Sequence, residues 1–73
     1  MNTIRAFEAS IHGLDSGFVA ATSAGRARII AARTIAECGY ASSVGDALLK
    51  LAIRRAPERD TDAISKGSEG WLR

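Results

Sequence analysis

The chain has one cysteine, one proline, one histidine, two lysines and four aromatic residues. Each scarcity excludes something. A lone Cys38 cannot close an internal disulfide, so a stapled secreted framework is excluded and a reducing cytoplasm is the expected compartment. Metal sites need clustered Cys, His and carboxylates, and Cys38 and His12 stand far apart in the sequence, so no metal is expected. Nucleophilic catalysis needs Ser or Cys beside a base. His12 is the one candidate base, and it reads as the surface end of a strand. Cys38 reads as a small buried apolar residue at a helix end. No glycine pattern of a nucleotide-binding loop occurs, and Gly25 is isolated. No catalytic residues and no cofactor are therefore expected, and the chain does not read as an enzyme. No apolar run approaches the roughly 20 residues that span a bilayer. Met1–Ser10 carries Arg5 and Glu8 and lacks the apolar stretch of a signal peptide.

What the 73 residues do contain is alanine: fourteen of the residues counted in the 47% apolar fraction. A domain of about 60 residues buries only about 60% of its unfolded surface, so an alanine-rich core is thin. A partner, or self-association as a homodimer, would supplement it. Charge is evenly spread. Ten bases face eight acids, for a net charge of +2, and there is no basic tail. The bases are mostly arginine, which suits planar contacts with carboxylate or phosphate.

The order of elements reads as a hairpin followed by two helices. Thr3–His12 alternates as a strand, Gly13–Gly17 is rich in turn formers, and Gly17–Thr22 forms the second arm. A helix is predicted from about Ser23 to Cys38. Thr22 or Ser23 caps it, and Gly39 stands at the left-handed position past its end. Tyr40 would then face Ile35. A second helix starts at Ser43, where Ser43-Val44-Gly45-Asp46 has the form of a capping box, the carboxylate reaching back to Ser43. Pro57 ends any helix before it. Leu51–Ala56 is open to two readings: the helix runs on to Arg55, or Ala52–Ala56 is a third strand. Residues 1–57 thus read as one small α+β domain and 58–73 as a polar C-terminal tail with at most one short helical turn.

Two features could carry binding. Arg26, Arg28 and Arg33 meet no acid before Glu37, and Arg54-Arg55 form a second cluster. If both lie on one side, they make a basic patch able to hold phosphates or carboxylates. The plain alternative is a solvated helix face with Arg33 and Glu37 as an i,i+4 pair. Trp71, near the end, is either a contact residue or a patch over the thin core. Phe7, Phe18 and Tyr40 read as core or cap residues, which leaves little for stacking bases. Of the DNA-binding templates, the helix-turn-helix fits poorly around Gly39. A ribbon-helix-helix fits in order, but its strand, Phe18-Val19-Ala20-Ala21, offers almost no polar side chain to a groove. A dimeric basic DNA-binding regulator is the alternative function on these grounds.

Gly25-Arg26-Ala27-Arg28, Gly39-Tyr40, Val44-Gly45-Asp46-Ala47 and Arg54-Arg55-Ala56-Pro57 resemble segments of small phage and prophage proteins of unassigned function. The resemblance runs from about Phe7 to Asp60. Ile29 departs from it, since such sequences often carry an aromatic residue there. The resemblance implies a ββααβ order with Ala52–Ala56 as the third strand. It also implies a host-takeover or counter-defence protein, anti-CRISPR proteins included, acting by binding and blocking a host protein or nucleoprotein complex in the bacterial cytoplasm. A nucleic-acid-mimicking acidic inhibitor is excluded by the +2 charge. The expected contact residues are Arg26, Arg28, Arg33, Arg54, Arg55 and Trp71.

Overall fold

The computed structural model describes residues 3–11 and 16–72. Strands β1 (Arg5–Ile11) and β2 (Gly17–Ala21) form the antiparallel arms of the expected hairpin, with Phe7 opposite Val19. His12 and the turn residues 13–15 lie outside the described residues. Helix α1 (Ala24–Glu37) follows, then α2 (Val44–Lys50), β3 (Leu51–Arg55), a 3₁₀ turn (Pro57–Arg59), α3 (Asp60–Lys66) and a short β4 (Gly70–Trp71). The strands form one antiparallel sheet in the order β3-β1-β2-β4. The α+β class and the ββααβ order are as the sequence suggests.

The local signals act where they were read. Ser23 takes extended backbone and its hydroxyl accepts the Arg26 N–H at 3.2 Å, which starts α1. At the other end Gly39 has φ +84°. The Gly39 N–H bonds Ala36 O at 3.1 Å and the Tyr40 N–H bonds Ile35 O at 3.0 Å, the paired bonds of a Schellman cap. Ser43 accepts the Asp46 N–H at 3.1 Å and starts α2. The returning bond differs from expectation: the Asp46 carboxylate accepts the Ser42 N–H at 3.0 Å, not that of Ser43. Lys50 reaches the same carboxylate at 3.0 Å.

Of the two readings of Leu51–Ala56 the strand holds, one residue earlier than the expected Ala52–Ala56: β3 runs Leu51–Arg55. The Arg28 guanidinium donates to Leu48 O at 2.8 Å, satisfying a carbonyl that the ending helix leaves open. Leu51 then turns extended, at φ −95° and ψ 135°, and buries against β1 opposite Ile11. A helix continued to Arg55 would forfeit that pairing.

The expected polar tail at 58–73 is the main correction, because its described part, 58–72, is built into the fold. Asp60 and Asp62 occupy the first turn of α3, Lys66 the last, and Gly67 follows in the left-handed conformation at φ +72°. The chain then returns along β2, with Trp71 opposite Val19 and the Leu72 N–H bonded to Phe18 O at 2.8 Å. Ala63 of α3 is fully buried.

Strand alternation splits the core into two layers. Phe7, Ala9, Val19, Ala21 and Leu51 face Ala27, Ala31, Ala32 and Ile35 of α1 and Ala47 of α2. On the other face Ala6, Ala20 and Ala56 meet Ala63, with Ile4, Phe18 and Leu72 at the margin. Ten of the buried apolar residues are alanine; Phe7, Val19, Ile35 and Leu51 are the larger ones. Each buried CH₂ stabilises by about 0.8 kcal/mol, so alanine layers contribute little apiece. They do let helix and sheet approach closely, which brings the polar groups at their edges within bonding range.

Candidate protein-binding surface

The arginines do not form one patch. Arg26 and Arg33 lie exposed on α1. Arg54 faces the opposite side of the sheet, sharing it with Glu8 and Ala6, because it alternates with Ile53, which packs on the α1 side.

Most are also engaged. Arg26 holds Glu69 at 3.0 Å, and Glu69 in turn accepts the Thr22 N–H at 3.1 Å and its hydroxyl at 3.2 Å. The Arg26 guanidinium and the Thr22 N–H keep the Glu69 carboxyl below the usual range. Arg54 bridges Glu8 at 2.5 Å and Glu58 at 3.0 Å. Arg55 makes a two-pronged pair with Asp60, both at 2.7 Å, and also donates to Ala6 O at 3.0 Å. Its guanidinium lies 5.6 Å from the Phe7 ring centre. Asp60 also accepts the Ala6 N–H at 2.9 Å. β3 stops at Arg55 and Ala56 O is taken by the Arg59 N–H, so this N–H of β1 has no strand partner, and the carboxylate takes its place. The Arg55 guanidinium and the Ala6 N–H lower the Asp60 pKa from 3.8 to about 2. Arg28 is committed to Leu48 O. Arg28 and Arg33 make no ion pair among the described residues, and the i,i+4 bridge from Arg33 to Glu37 is not formed there.

Trp71 patches the core. It is half-buried against the α1-side layer, and its indole N–H donates to Thr34 Oγ1 at 2.8 Å. A Cβ on Gly17 would stand 2.8 Å from the ring, so only glycine admits the indole there.

Two expectations about single residues are corrected. Cys38 is exposed, because the Schellman turn lifts it off the sheet. Tyr40 is 59% exposed: its main chain completes the cap, while its ring reaches solvent. Phe18 is half-buried beneath Arg59, whose guanidinium lies 4.6 Å from the ring centre.

What the surface does offer is apolar. Among the described residues, Ile29, Tyr40, Val44, Leu49 and Ile64 are the large apolar side chains left exposed. Three of them come from the single stretch 40–49, and Leu49 is 88% exposed. Sequence reading missed this stretch because Leu48 and Leu49 count alike in composition. Their helical angles separate them: Leu48 packs on the core while Leu49, one position on, points away. A cleft of about 320 Å³ opens beside it, lined by Ile11, Thr34, Ile35, Cys38, Tyr40 and Trp71 among others. No charged side chain among the described residues lines it. Among the described residues no three His, Cys, Asp or Glu side chains are placed to share a metal ion, and no helix is long and apolar enough to cross a membrane. Comparison with protein-family models, with curated proteins and with solved structures finds no match to this chain.

Proposed function

We propose that this is a non-catalytic binding protein that acts by covering a surface of a larger protein assembly, with Tyr40, Val44 and Leu49 as the apolar centre of contact and the exposed Ile29 and Arg33 of α1 as further contact residues. The observation that carries the reading is the distribution of large apolar side chains. Only four such residues are buried in the described core, while five stand exposed, three of them in one stretch. Scattered apolar residues are ordinary on a surface; a concentration beside an alanine core is the pattern of a contact site. The resemblance to small phage and prophage proteins supports a host protein or nucleoprotein complex as the target, a defence complex included, met in the bacterial cytoplasm and blocked by occupation. Arg26, Arg54 and Arg55 serve in this reading to hold the fold and contribute to contact only at their exposed edges. Exposed ion pairs of this kind contribute modestly each.

The DNA-binding alternative has less support. A ribbon-helix-helix dimer needs a free strand before α1, and β2 carries β1 on one edge and β4 on the other. Phosphate contacts also need cations not already held by carboxylates.

Capture from a bacterial lysate, with and without nuclease, tests the reading. Capture is expected to resist nuclease and to be lost in Leu49→Asp, which leaves the core untouched. Capture abolished by nuclease, together with micromolar binding to random duplex DNA that collapses with salt, would overturn it in favour of the alternative.

A further inference from the structure

β3 ends the sheet, and its outer edge pairs with nothing among the described residues. The Ala56 N–H bonds Ala6 O at 2.9 Å. Pairing alternates along an antiparallel ladder. Arg54 opposite Glu8 and Ala52 opposite Ser10 therefore direct their main-chain groups inward to β1. Leu51, Ile53 and Arg55 direct theirs outward. One outward group is occupied: Arg55 O accepts from Arg54 Nη1 at 3.0 Å. The outward acceptors and donors that remain include Leu51 O, Ile53 N–H, Ile53 O and Arg55 N–H.

We infer that this edge pairs with the same edge of a second copy, antiparallel about Ile53. In that register each Ile53 N–H donates to the Ile53 O of the other copy, and each Arg55 N–H donates to the other's Leu51 O. These four bonds need none of the occupied groups, and all five residues of β3 face all five of the partner strand. Two sheets of four strands become one of eight. Charge allows it. Arg54 comes opposite Ala52 of the second copy, and Arg54 is already neutralised by Glu8 and Glu58, as Arg55 is by Asp60. Like charges therefore do not meet unpaired across the seam. A bulge and a proline, two of the devices that keep an edge strand from pairing, are absent from Leu51–Arg55, and the two charges it carries, Arg54 and Arg55, are held by carboxylates of their own chain. Pro57 lies past its end. A foreign extended strand would meet the same four groups, but the two-fold match of donors and acceptors is supplied by the chain itself.

Sedimentation equilibrium of the full chain over a range of concentrations tests this. A reversible monomer–dimer equilibrium is expected. Ala52 is exposed and bonds only inward, so its side chain can change without disturbing the ladder. Ala52→Lys sets a lysine opposite the Arg54 of the other copy, twice by symmetry, and should weaken the dimer about tenfold or more. Ala52→Glu should tighten it. Ile53→Pro, which removes an outward N–H and none of the bonds to β1, should leave a monomer. A wild-type chain that stays monomeric to millimolar concentration overturns the inference, whether or not the edge then captures a foreign peptide. So does a dimer whose affinity is the same in both Ala52 variants. Partner capture is read with Leu49→Asp in α2 and the dimer with the Ala52 and Ile53 variants of β3, by different measurements, so the two proposals fail separately.

Discussion

The indole N–H of Trp71 donates to the hydroxyl of Thr34 at 2.8 Å, joining the last strand to the main helix across 37 positions of chain. Thr34 in turn donates to Ile30 O at 3.3 Å. The hydroxyl therefore accepts from the strand and donates within the helix.

That bond predicts a modest, specific loss. Trp71→Phe keeps most of the apolar contact and removes the donor, and should cost about 1 kcal/mol. The urea midpoint should fall with an unchanged slope. A midpoint that does not move would mean that the indole bond adds nothing beyond what water supplies.

Gly17→Ala addresses the same side chain from the other side. A Cβ there would stand 2.8 Å from Trp71 Cζ3, so the ring must shift. Overpacking of this kind costs about 1–3 kcal/mol. Trp71 emission should move to the red as the indole leaves its seat, and an unshifted spectrum would contradict the geometry.

Asp60 sets an acid limit to the fold. Its carboxyl pKa is held down to about 2, from 3.8, first by Arg55 and then by the Ala6 N–H. A depressed carboxyl stabilises the fold fully above its unfolded pKa and loses that contribution as pH falls through the folded one. Stability should therefore decline between about pH 4 and pH 2. Asp60→Asn should be less stable at neutral pH and show a flatter profile over that window. NMR titration of the side-chain carboxyl checks the pKa directly; a midpoint near 4 would refute the pairing.

Two glycines of similar exposure should respond oppositely to alanine. Gly39 has φ +84° with nothing within 4 Å of an added Cβ, so the cost of Gly39→Ala is conformational, about 1 kcal/mol. Gly25 lies in the first turn of α1 with only Ser23 Oγ near, at 3.9 Å. Gly25→Ala should stabilise by about 0.5–1 kcal/mol. Thermal or urea unfolding reads both signs.

Arg28 and Arg33 separate in the same way. Arg28→Ala strands Leu48 O at the end of α2 and should cost about 1.5 kcal/mol. Arg33→Ala should leave the unfolding midpoint unchanged, and its effect should appear only in partner binding.

What the residues determined by themselves is local. The hairpin arms, the Ser23 and Ser43 caps, the Gly39 turn and the break at Pro57 each depend on groups a few positions apart, where steric and hydrogen-bonding preferences act before any packing. Even there the Asp46 carboxylate chose the Ser42 N–H, one residue from the expected donor. The α3 helix carried a readable signal, acids at Asp60 and Asp62 ahead of Lys66 and Gly67, but its polar surface resembles a tail because only Ala63 is buried. Tertiary structure decided the rest. Arg26 found Glu69 across 43 positions, Arg54 found Glu8 across 46, and Asp60 found the Ala6 N–H across 54. Near Arg54 the chain offers Glu58 four positions on, but nothing near Arg26 distinguishes a cation held by a carboxylate from one left for a partner. That distinction arises only when the sheet order β3-β1-β2-β4 sets distant strands side by side, because an ion pair depends on separation in space, and alanine layers make that separation short.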